Sequence, residues 1–215
     1  MPAAASSRQP GAPIRFSGPE AQWLLAEERR WLAAHLAVRP ARPWLWLAPA
    51  ASVTVESPMP PRCGLCLHEC AGGYAGTVRC GLPLPLANEC LGEVVLQHPS
   101  PAQAGALLDE CARVLVEGGR LWLFLANPWS PYRLRSVRDL PASASGPWVQ
   151  RLRALGLRAD PPRFLGPRWR MARGGEVRDS AVPLRAGCVV VAEKRGLAPV
   201  APAPLAWRRG TAPAA

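Results

Sequence analysis

The segment 93–135 alternates strand, helix and strand patterns, and it restricts what the whole chain can fold into. The short β-branched run Glu93–Leu96 is typical of a buried strand. A helix is predicted from Pro101 to Gly118–Gly119, where glycine adopts the left-handed conformation without steric cost. Arg120–Ala126 is a second apolar strand pattern. Because two strands joined by a helix at this spacing form a right-handed crossover, the sequence predicts a parallel sheet.

The helix predicted in this segment has a defined start and one apolar face. Ser100 supplies a capping hydroxyl, Pro101 stands at the first helical position and Gln103 at the third. Asp109 and Arg113 are four residues apart, so the sequence predicts an ion pair on the solvent side. The opposite face carries the apolar side chains of Leu107, Leu108, Cys111, Val114 and Leu115.

Strand and helix patterns also occupy the rest of the chain. An amphipathic helix is predicted over Trp23–Leu36, and a shorter helix over Trp148–Leu155, ended by Gly156. Cys188–Lys194 is apolar enough for an internal strand buried on both faces, and we expect it to be antiparallel. The other predicted elements are strands at Trp44–Ala48, Cys63–Leu67, Gly76–Cys80 and Leu157–Phe164, a strand or loop at Val53–Glu56, and a long loop over Gly166–Arg185.

The composition fits one domain with two tails. The chain has 215 residues, and 49% of them are hydrophobic, which is enough to bury one core. We expect a domain over 16–196, and disorder in the segments 1–15 and 197–215, which are rich in Pro, Ala and Arg. No apolar run has the length of a membrane span, and the N-terminal segment lacks the apolar region of a secretory signal. The sequence therefore predicts a cytoplasmic protein with reduced cysteines.

Positive charge is concentrated in the second half of the chain. Residues 1–117 carry nine basic and ten acidic side chains, whereas residues 118–215 carry seventeen basic and five acidic ones, for a net charge of +11. A basic half is typical of a protein with an anionic partner, such as nucleic acid, a lipid headgroup or a phosphorylated substrate. Because no aromatic-interleaved nucleic-acid motif accompanies the arginines, a solvated arginine-rich surface is the alternative.

Several blocks of the sequence resemble one enzyme family. The run RVLVEGGRLWLF (Arg113–Phe124), with QHP before it and NPWS after it, resembles the class I SAM-dependent methyltransferases, in particular short bacterial members of the methyltransferase type 11-like group. LPLANECLGEVVLQH (Leu84–His98), the opening helix and the closing GCVVVAEKR (Gly187–Arg195) are similar to the same group. The resemblance covers 16–196. It implies a Rossmann-like three-layer α/β sandwich with a mostly parallel sheet and an antiparallel strand near the C-terminus.

The resemblance also implies a binding site for S-adenosyl-L-methionine (SAM) at the carboxyl edge of the sheet. In the family, the cofactor contacts the turn after the first strand, an acidic residue after the second strand, and the loops after the third and fourth strands. At those positions this chain has Leu47, Ala48 and Pro49, then Glu69, then Cys80, Gly81 and Leu82, and finally Gln97.

Two of these positions depart from the family pattern. LAPAAS (Leu47–Ser52) stands where the family has a glycine-rich turn. Proline and alanine there remove an amide donor and the close backbone approach that glycine permits. Cys80 stands where an aspartate is expected. The sequence therefore predicts an atypical cofactor loop and weak SAM binding.

His98 is the candidate catalytic residue. It follows the fourth strand and matches a histidine that the group tends to carry, so the resemblance implies a general base or a group that orients the methyl acceptor. The alternative is a histidine that only precedes the next helix. Asn127, Pro128 and Ser130 repeat the NP-x-S block of the group, and they either form a turn or contact the substrate.

The cysteines suggest a competing interpretation. Cys63 and Cys66 form a CxxC motif, and it is followed by His68, Cys70, Cys80 and Cys90. A tetrahedral zinc site commonly uses two close ligand pairs, and the sequence has no second pair. A thioredoxin-like redox pair opens a helix, whereas CGLCLHEC alternates like a strand. Packing of buried cysteines explains the pattern without a metal, so no metal site is predicted and zinc stays the alternative.

Two functions from different classes are consistent with these observations. The first is SAM-dependent methyl transfer with an atypical cofactor loop, to an acceptor that the sequence does not identify. The second is a non-catalytic methyltransferase-fold protein that has lost SAM binding and acts as a binding or scaffolding protein. The family resemblance favours the first, whereas the LAPAAS turn and Cys80 favour the second. A titration with SAM distinguishes the two.

Overall fold

The computed structural model describes residues 18–49, 64–70, 72–136, 142–168, 180–181 and 183–196. Within them, a sheet of eight strands carries helices on both faces. The helices are α1 (Pro19–Leu36), α2 (Ala104–Val114), α3 (Pro131–Ser136) and α4 (Ser145–Ala154). The strands are β1 (Trp44–Ala48), β2 (Gly64–Cys70), β3 (Gly73–Gly76), β4 (Leu91–Gln97), β5 (Leu115–Ala126), β6 (Leu157–Ala159), β7 (Arg163–Leu165) and β8 (Gly187–Lys194).

The sheet is parallel in its centre and antiparallel towards both sides. The strand order is β3-β2-β1-β4-β5-β8-β6, and β7 also pairs with β8. Strands β2, β1, β4 and β5 are parallel, whereas β8 runs antiparallel to β5, β6 and β7. The predicted fold class is confirmed. The predicted strand at Cys188–Lys194 is also confirmed as internal and antiparallel.

Each face of the sheet has its own core. Alternate side chains such as Leu45 and Leu96 pack under α2 and α4, whereas Trp122 and Phe124 pack under α1. The ring of Trp31 on α1 meets those of Trp122 and Phe124 edge-on, at centroid distances of 6.0 and 6.1 Å. Burying one such side chain contributes about 1.5–3 kcal/mol. This double-sided burial fixes β1 and β4 in the middle of the fold.

The helix in the segment 93–135 ends earlier than predicted. α2 ends at Val114, and β5 begins at Leu115. β5 pairs with β4 on both sides of residues 116–119, which bulge from the ladder opposite Gly92. Gly118, with a φ of +70°, adopts the backbone conformation that the bulge requires. The prediction that glycine ends the helix is therefore wrong, because Gly118 lies in a bulge inside the long strand β5.

The predicted cap and ion pair of this helix are also wrong. The Ser100 side chain makes no capping hydrogen bond within the described residues, and a 3-10 turn at Pro101–Gln103 precedes α2. Asp109 pairs with Arg151 of α4 at 2.6 Å, and Arg113 pairs with Glu110 at 2.7 Å. Asp109 thus connects two neighbouring helices because α4 packs beside α2.

The strand predicted at Gly76–Cys80 is wrong as well. The chain turns back after β2, and β3 runs antiparallel beside it. Cys80 follows only as an isolated bridge to Tyr74. At Gly73, with a φ of +151°, a Cβ would stand 2.4 Å from the Cys80 carbonyl oxygen. Glycine at this position therefore permits the hairpin that replaces the predicted parallel strand.

The other predicted elements lie close to their observed counterparts. The helix predicted over Trp23–Leu36 begins four residues earlier, and the strand predicted at Cys63–Leu67 extends to Cys70. The strand predicted over Leu157–Phe164 is divided into β6 and β7, because Pro161 and Pro162 lack the amide donors that a ladder needs. Cys63, Val53–Glu56, most of Gly166–Arg185 and the predicted tails lie outside the described residues.

Candidate functional site

The carboxyl end of β1 is the centre of the candidate site. β1 lies between β2 and β4, and the three strands are parallel. In the sheet, β2 lies on one side of β1, and β4 and β5 lie on the other side. The strand order therefore reverses at β1, and its carboxyl end is a topological switch point. Open α/β sheets bind ligands at such points. Ala48 ends β1 opposite His68, and Leu47 lies opposite Leu96, so Gln97 and His98 follow beside the end of β1.

Gln97 is the last residue of β4, and its side chain is buried against α1. Its amide nitrogen donates to Oε2 of Glu28 at 2.8 Å and to the Leu25 carbonyl oxygen at 3.4 Å. Its carbonyl oxygen, Oε1, is buried and has no hydrogen-bond partner in the described part of the chain. Leaving a buried acceptor without a donor costs about 1–3 kcal/mol, so this atom is a candidate ligand contact.

His98 lies directly after β4 with a φ of +50°, a backbone conformation that is uncommon for residues other than glycine. Its amide donates to the Phe124 carbonyl oxygen at 2.9 Å, which fastens it to β5. Its Nε2 lies 3.0 Å from each carboxylate oxygen of Glu28, and both side chains are fully buried. The candidate base is thus held by a carboxylate from α1, an arrangement that fixes the orientation of an imidazole ring.

Arg29 follows Glu28 on α1 and extends towards β1 instead. Its guanidinium carbon lies 4.9 Å from the ring centroid of Trp46, and the residue is only 5% exposed. Its Nε, Nη1 and Nη2 atoms have no hydrogen-bond partner among the described residues. Burial lowers the pKa of Arg29 to about 10, while the nearby Glu28 and Cys66 act in the opposite direction. The guanidinium therefore keeps its positive charge at neutral pH.

Sequence reasoning missed Glu28 and Arg29, although a signal was present. Leu24, Leu25 and Leu32 define the buried face of α1. Glu28 stands four residues after Leu24 and four before Leu32, so it lies on the same face. A charged residue in the middle of an apolar face departs from the amphipathic pattern, and this departure marks a buried polar group.

The residues predicted to hold the cofactor lie in two regions. Leu47 and Ala48 are buried in β1, and Pro49 is the last described residue before the gap, so the rest of the predicted turn is outside the described residues. Glu69 is exposed and lies one residue beyond the partner of Ala48 on β2. Cys80, Gly81 and Leu82 follow the β2–β3 hairpin, so they do not occupy the end of a parallel strand as predicted.

The cysteines show no metal centre in the described part of the chain. No group of three or more His, Cys, Asp and Glu side chains is arranged there to hold a metal ion, and Cys63 lies outside it. Cys66, Cys70, Cys80 and Cys90 are half-buried free thiols. Burial raises the pKa of the Cys66 and Cys80 thiols.

The NP-x-S block after β5 forms turn structure. The Asn127 amide donates to the carbonyl oxygens of Pro183 and Arg185, at 3.1 and 2.8 Å. Its Oδ1 accepts from the amide of Trp129, and the Ser130 hydroxyl accepts from the amide of Arg133 at the start of α3. These bonds occupy the polar atoms with backbone contacts, as expected for the turn alternative.

The predicted partners include no membrane span and an anionic molecule for the basic half of the chain. No helix in the described part of the chain is long and apolar enough to cross a membrane. Within the basic half, Arg120 and Arg151 pair with acidic side chains, at 3.5 and 2.6 Å. An anionic partner for this half stays a prediction from the sequence.

Comparison with known proteins agrees with this topology. No family model matches the chain, and the search of curated proteins found no match. A SAM-dependent methyltransferase from Archaeoglobus fulgidus is similar with a TM-score of 0.52 and 16% identity, over 80% of this chain and 99% of that chain. A SAM-dependent methyltransferase from Thermotoga maritima has a TM-score of 0.49 and 13% identity, over 81% and 93% of the two chains.

A third solved structure was determined with ligands. It is the 1,6-didemethyltoxoflavin-N1-methyltransferase of Burkholderia thailandensis, with bound 1,6-didemethyltoxoflavin and S-adenosylhomocysteine. Its TM-score is 0.47 at 17% identity, over 83% of this chain and 80% of that chain. The chain has the fold of the class I SAM-dependent methyltransferases, which confirms the fold that the sequence resemblance implied.

Proposed function

We propose that the protein transfers a methyl group from SAM to an acceptor, with an atypical turn after β1 at the cofactor site. The observation that carries this proposal is the switch point at Ala48. Glu69 on β2 and Gln97 and His98 after β4 lie beside it. Ligands of open α/β sheets bind at such a point, and the fold is that of SAM-dependent methyltransferases.

The described residues fit SAM at several places. SAM carries an ammonium, a carboxylate and ribose hydroxyl groups. The buried Oε1 of Gln97 is an acceptor without a donor among the described residues, and it is suited to the ammonium. Glu69 is an exposed carboxylate suited to ribose hydroxyls. The assignment of Cys80, Gly81 and Leu82 to the adenine side rests on the family resemblance alone, because they follow a hairpin and not a parallel strand. Leu47, Ala48 and Pro49 would face the amino-acid part, where Pro49 offers no amide hydrogen.

His98 is proposed as the group that takes the proton of the acceptor. When bound, SAM supplies a methyl group on a sulfonium centre, which a nucleophilic atom of the acceptor attacks. The imidazole of His98 accepts the proton that the acceptor loses, and the Glu28 carboxylate at 3.0 Å stabilises the resulting imidazolium. Glu28 is in this account a positioning residue, because it acts through His98.

Weak cofactor binding is the expected result of a calorimetric titration of the full chain with S-adenosylhomocysteine. The dissociation constant should be about 100 µM, equivalent to about −5.5 kcal/mol. The reason is Pro49, which removes an amide donor and fixes φ at the turn. Pro49→Gly restores the donor and should tighten binding about fivefold.

Either of two results contradicts part of this account. Micromolar binding by the wild-type protein would show that the turn does not weaken the site. Absence of heat at millimolar ligand, with the protein folded, would remove the methyltransferase proposal and leave the non-catalytic alternative.

A further inference from the structure

Arg29 is a buried cation without a hydrogen-bond partner in the described part of the chain. Buried arginines in proteins are normally paired, since an uncompensated buried charge is strongly destabilising. Arg29 is 5% exposed, and all three of its guanidinium nitrogens are buried with no hydrogen-bond partner there. An unpaired donor set of this kind indicates an anionic ligand.

The surroundings of Arg29 favour a carboxylate as that ligand. Glu28 is the neighbouring acid on α1, but its carboxylate oxygens accept from Gln97 and His98. The Trp46 ring lies 4.9 Å from the guanidinium carbon and stabilises the cation through its π-face. The N–H groups of a guanidinium lie in its plane and form a rigid fork that matches a carboxylate.

A second unpaired polar atom lies on the same face of the sheet. Gln97 follows Val95 by two residues on β4, and Val95 pairs with Trp46, so Gln97 and Trp46 project towards α1. The Oε1 of Gln97 is a buried acceptor without a donor among the described residues. On this face the guanidinium is a positively charged hydrogen-bond donor, and the amide oxygen is a hydrogen-bond acceptor. One ligand that carries both an anion and a cationic donor satisfies both groups. A carboxylate and an ammonium on the same carbon, as in an α-amino acid, have this pair of charges.

We propose that Arg29 binds the carboxylate of the amino-acid part of SAM and that Oε1 of Gln97 accepts a hydrogen bond from its ammonium group. This inference rests on the proposed function, and it adds the residues that would replace the missing glycine-rich turn. A bidentate guanidinium–carboxylate pair is among the strongest polar contacts in proteins. It offsets part of the affinity that Pro49 removes.

The test compares two nucleosides that differ only in the amino-acid part. S-adenosylhomocysteine contains it, whereas 5′-methylthioadenosine lacks both the carboxylate and the ammonium. Arg29→Met keeps the volume of the side chain and removes the charge. We expect the variant to bind S-adenosylhomocysteine about thirtyfold more weakly and to bind 5′-methylthioadenosine as the wild type does. An equal loss for both ligands, or no loss for either, would overturn the proposal.

The melting temperature without ligand distinguishes a binding role from a structural one. Replacing a residue that holds the fold together lowers the stability of the protein. Replacing an unpaired buried charge with an apolar side chain raises the stability of the protein. We expect Arg29→Met to melt a few degrees above the wild type. Arg153→Met on α4 is the matched control, because the Arg153 side chain is exposed, and it should leave the melting temperature unchanged. A fall of several degrees for Arg29→Met alone would contradict the proposal.

Fragment ligands separate failure of this inference from failure of the proposed function. If neither nucleoside binds the wild type, the proposed function fails, and L-methionine and L-methioninamide then test Arg29 independently. A rise in melting temperature with L-methionine that is absent with L-methioninamide and absent in Arg29→Met supports the carboxylate site. Equal responses to the two fragments overturn it.

An alternative partner for Arg29 is a carboxylate of this chain, and the candidate to test is Glu56. Glu56 lies between β1 and β2 in the sequence, outside the described residues. If it paired with Arg29, Glu56→Gln and Arg29→Met would destabilise the protein by similar amounts, and the double variant would lose no more than either one. That result would overturn the inference, and an unchanged melting temperature in Glu56→Gln supports it.

Discussion

Replacing Glu28 with leucine is expected to lower the free energy of unfolding by about 3 kcal/mol. The Glu28 carboxylate accepts hydrogen bonds from Gln97 at 2.8 Å and lies 3.0 Å from the imidazole of His98, and these side chains are buried. Leucine fills a similar volume but accepts no hydrogen bond, so it leaves two buried polar groups without their partner. Urea unfolding followed by circular dichroism measures the loss.

The control for this prediction is Asp109→Asn, which breaks an ion pair whose two side chains are each 47% exposed. It should cost less than about 1 kcal/mol, because water screens exposed pairs. A loss below about 1 kcal/mol in Glu28→Leu as well would mean that the buried cluster does not stabilise the fold.

Replacing His98 with alanine is expected to slow methyl transfer about a hundredfold, the usual contribution of a general base. The affinity for S-adenosylhomocysteine should change little, because the imidazole acts on the acceptor. The measurement is the rate of S-adenosylhomocysteine formation from SAM, detected by mass spectrometry, with the first acceptor that gives turnover among small amines, phenols and thiols. Circular dichroism checks that the variant is folded.

Two further variants make this result specific. His98→Gln keeps a polar side chain that can donate to Glu28 but cannot act as a base near neutral pH, so it should be as slow as alanine. His35→Ala removes an exposed histidine from α1 and should leave the rate unchanged. Normal turnover in His98→Gln would assign His98 a structural role at the entry to the next element, as in the alternative interpretation.

Most strands were predictable because a strand that is buried on both faces is a short run of apolar residues in the sequence. Trp44–Ala48 and Cys188–Lys194 are short and apolar, and such runs are stable only between two covered faces. The β2–β3 hairpin was not predictable from hydrophobicity, because it depends on the backbone freedom of Gly73. The bulge at Gly118 was not predictable for the same reason. In a sequence, a glycine that permits a bulge cannot be told from a glycine that ends a helix.

The candidate site was only half predictable. Gln97 and His98 could be placed because they follow a recognisable strand, and the carboxyl end of that strand faces the switch point. Glu28 and Arg29 belong to a distant helix, and charged residues of an amphipathic helix are normally assigned to solvent. Glu28 stands out because it interrupts the apolar face of α1, whereas the burial of Arg29 is shown only by the packing of α1 on the sheet. The third-strand group, Cys80 to Leu82, was misplaced because its parallel strand is absent among the described residues.

The most direct test of the proposed cofactor site is a titration of isotopically labelled protein with S-adenosylhomocysteine, followed by amide chemical shifts. We expect fast-exchange shifts at the ends of β1 and β4, with the largest changes at Ala48, Gln97 and His98. At the opposite edge of the sheet, the groove lined by Arg39 and Arg42 serves as an internal reference and should not respond. Shifts confined to that groove, or none at millimolar ligand, would contradict the account.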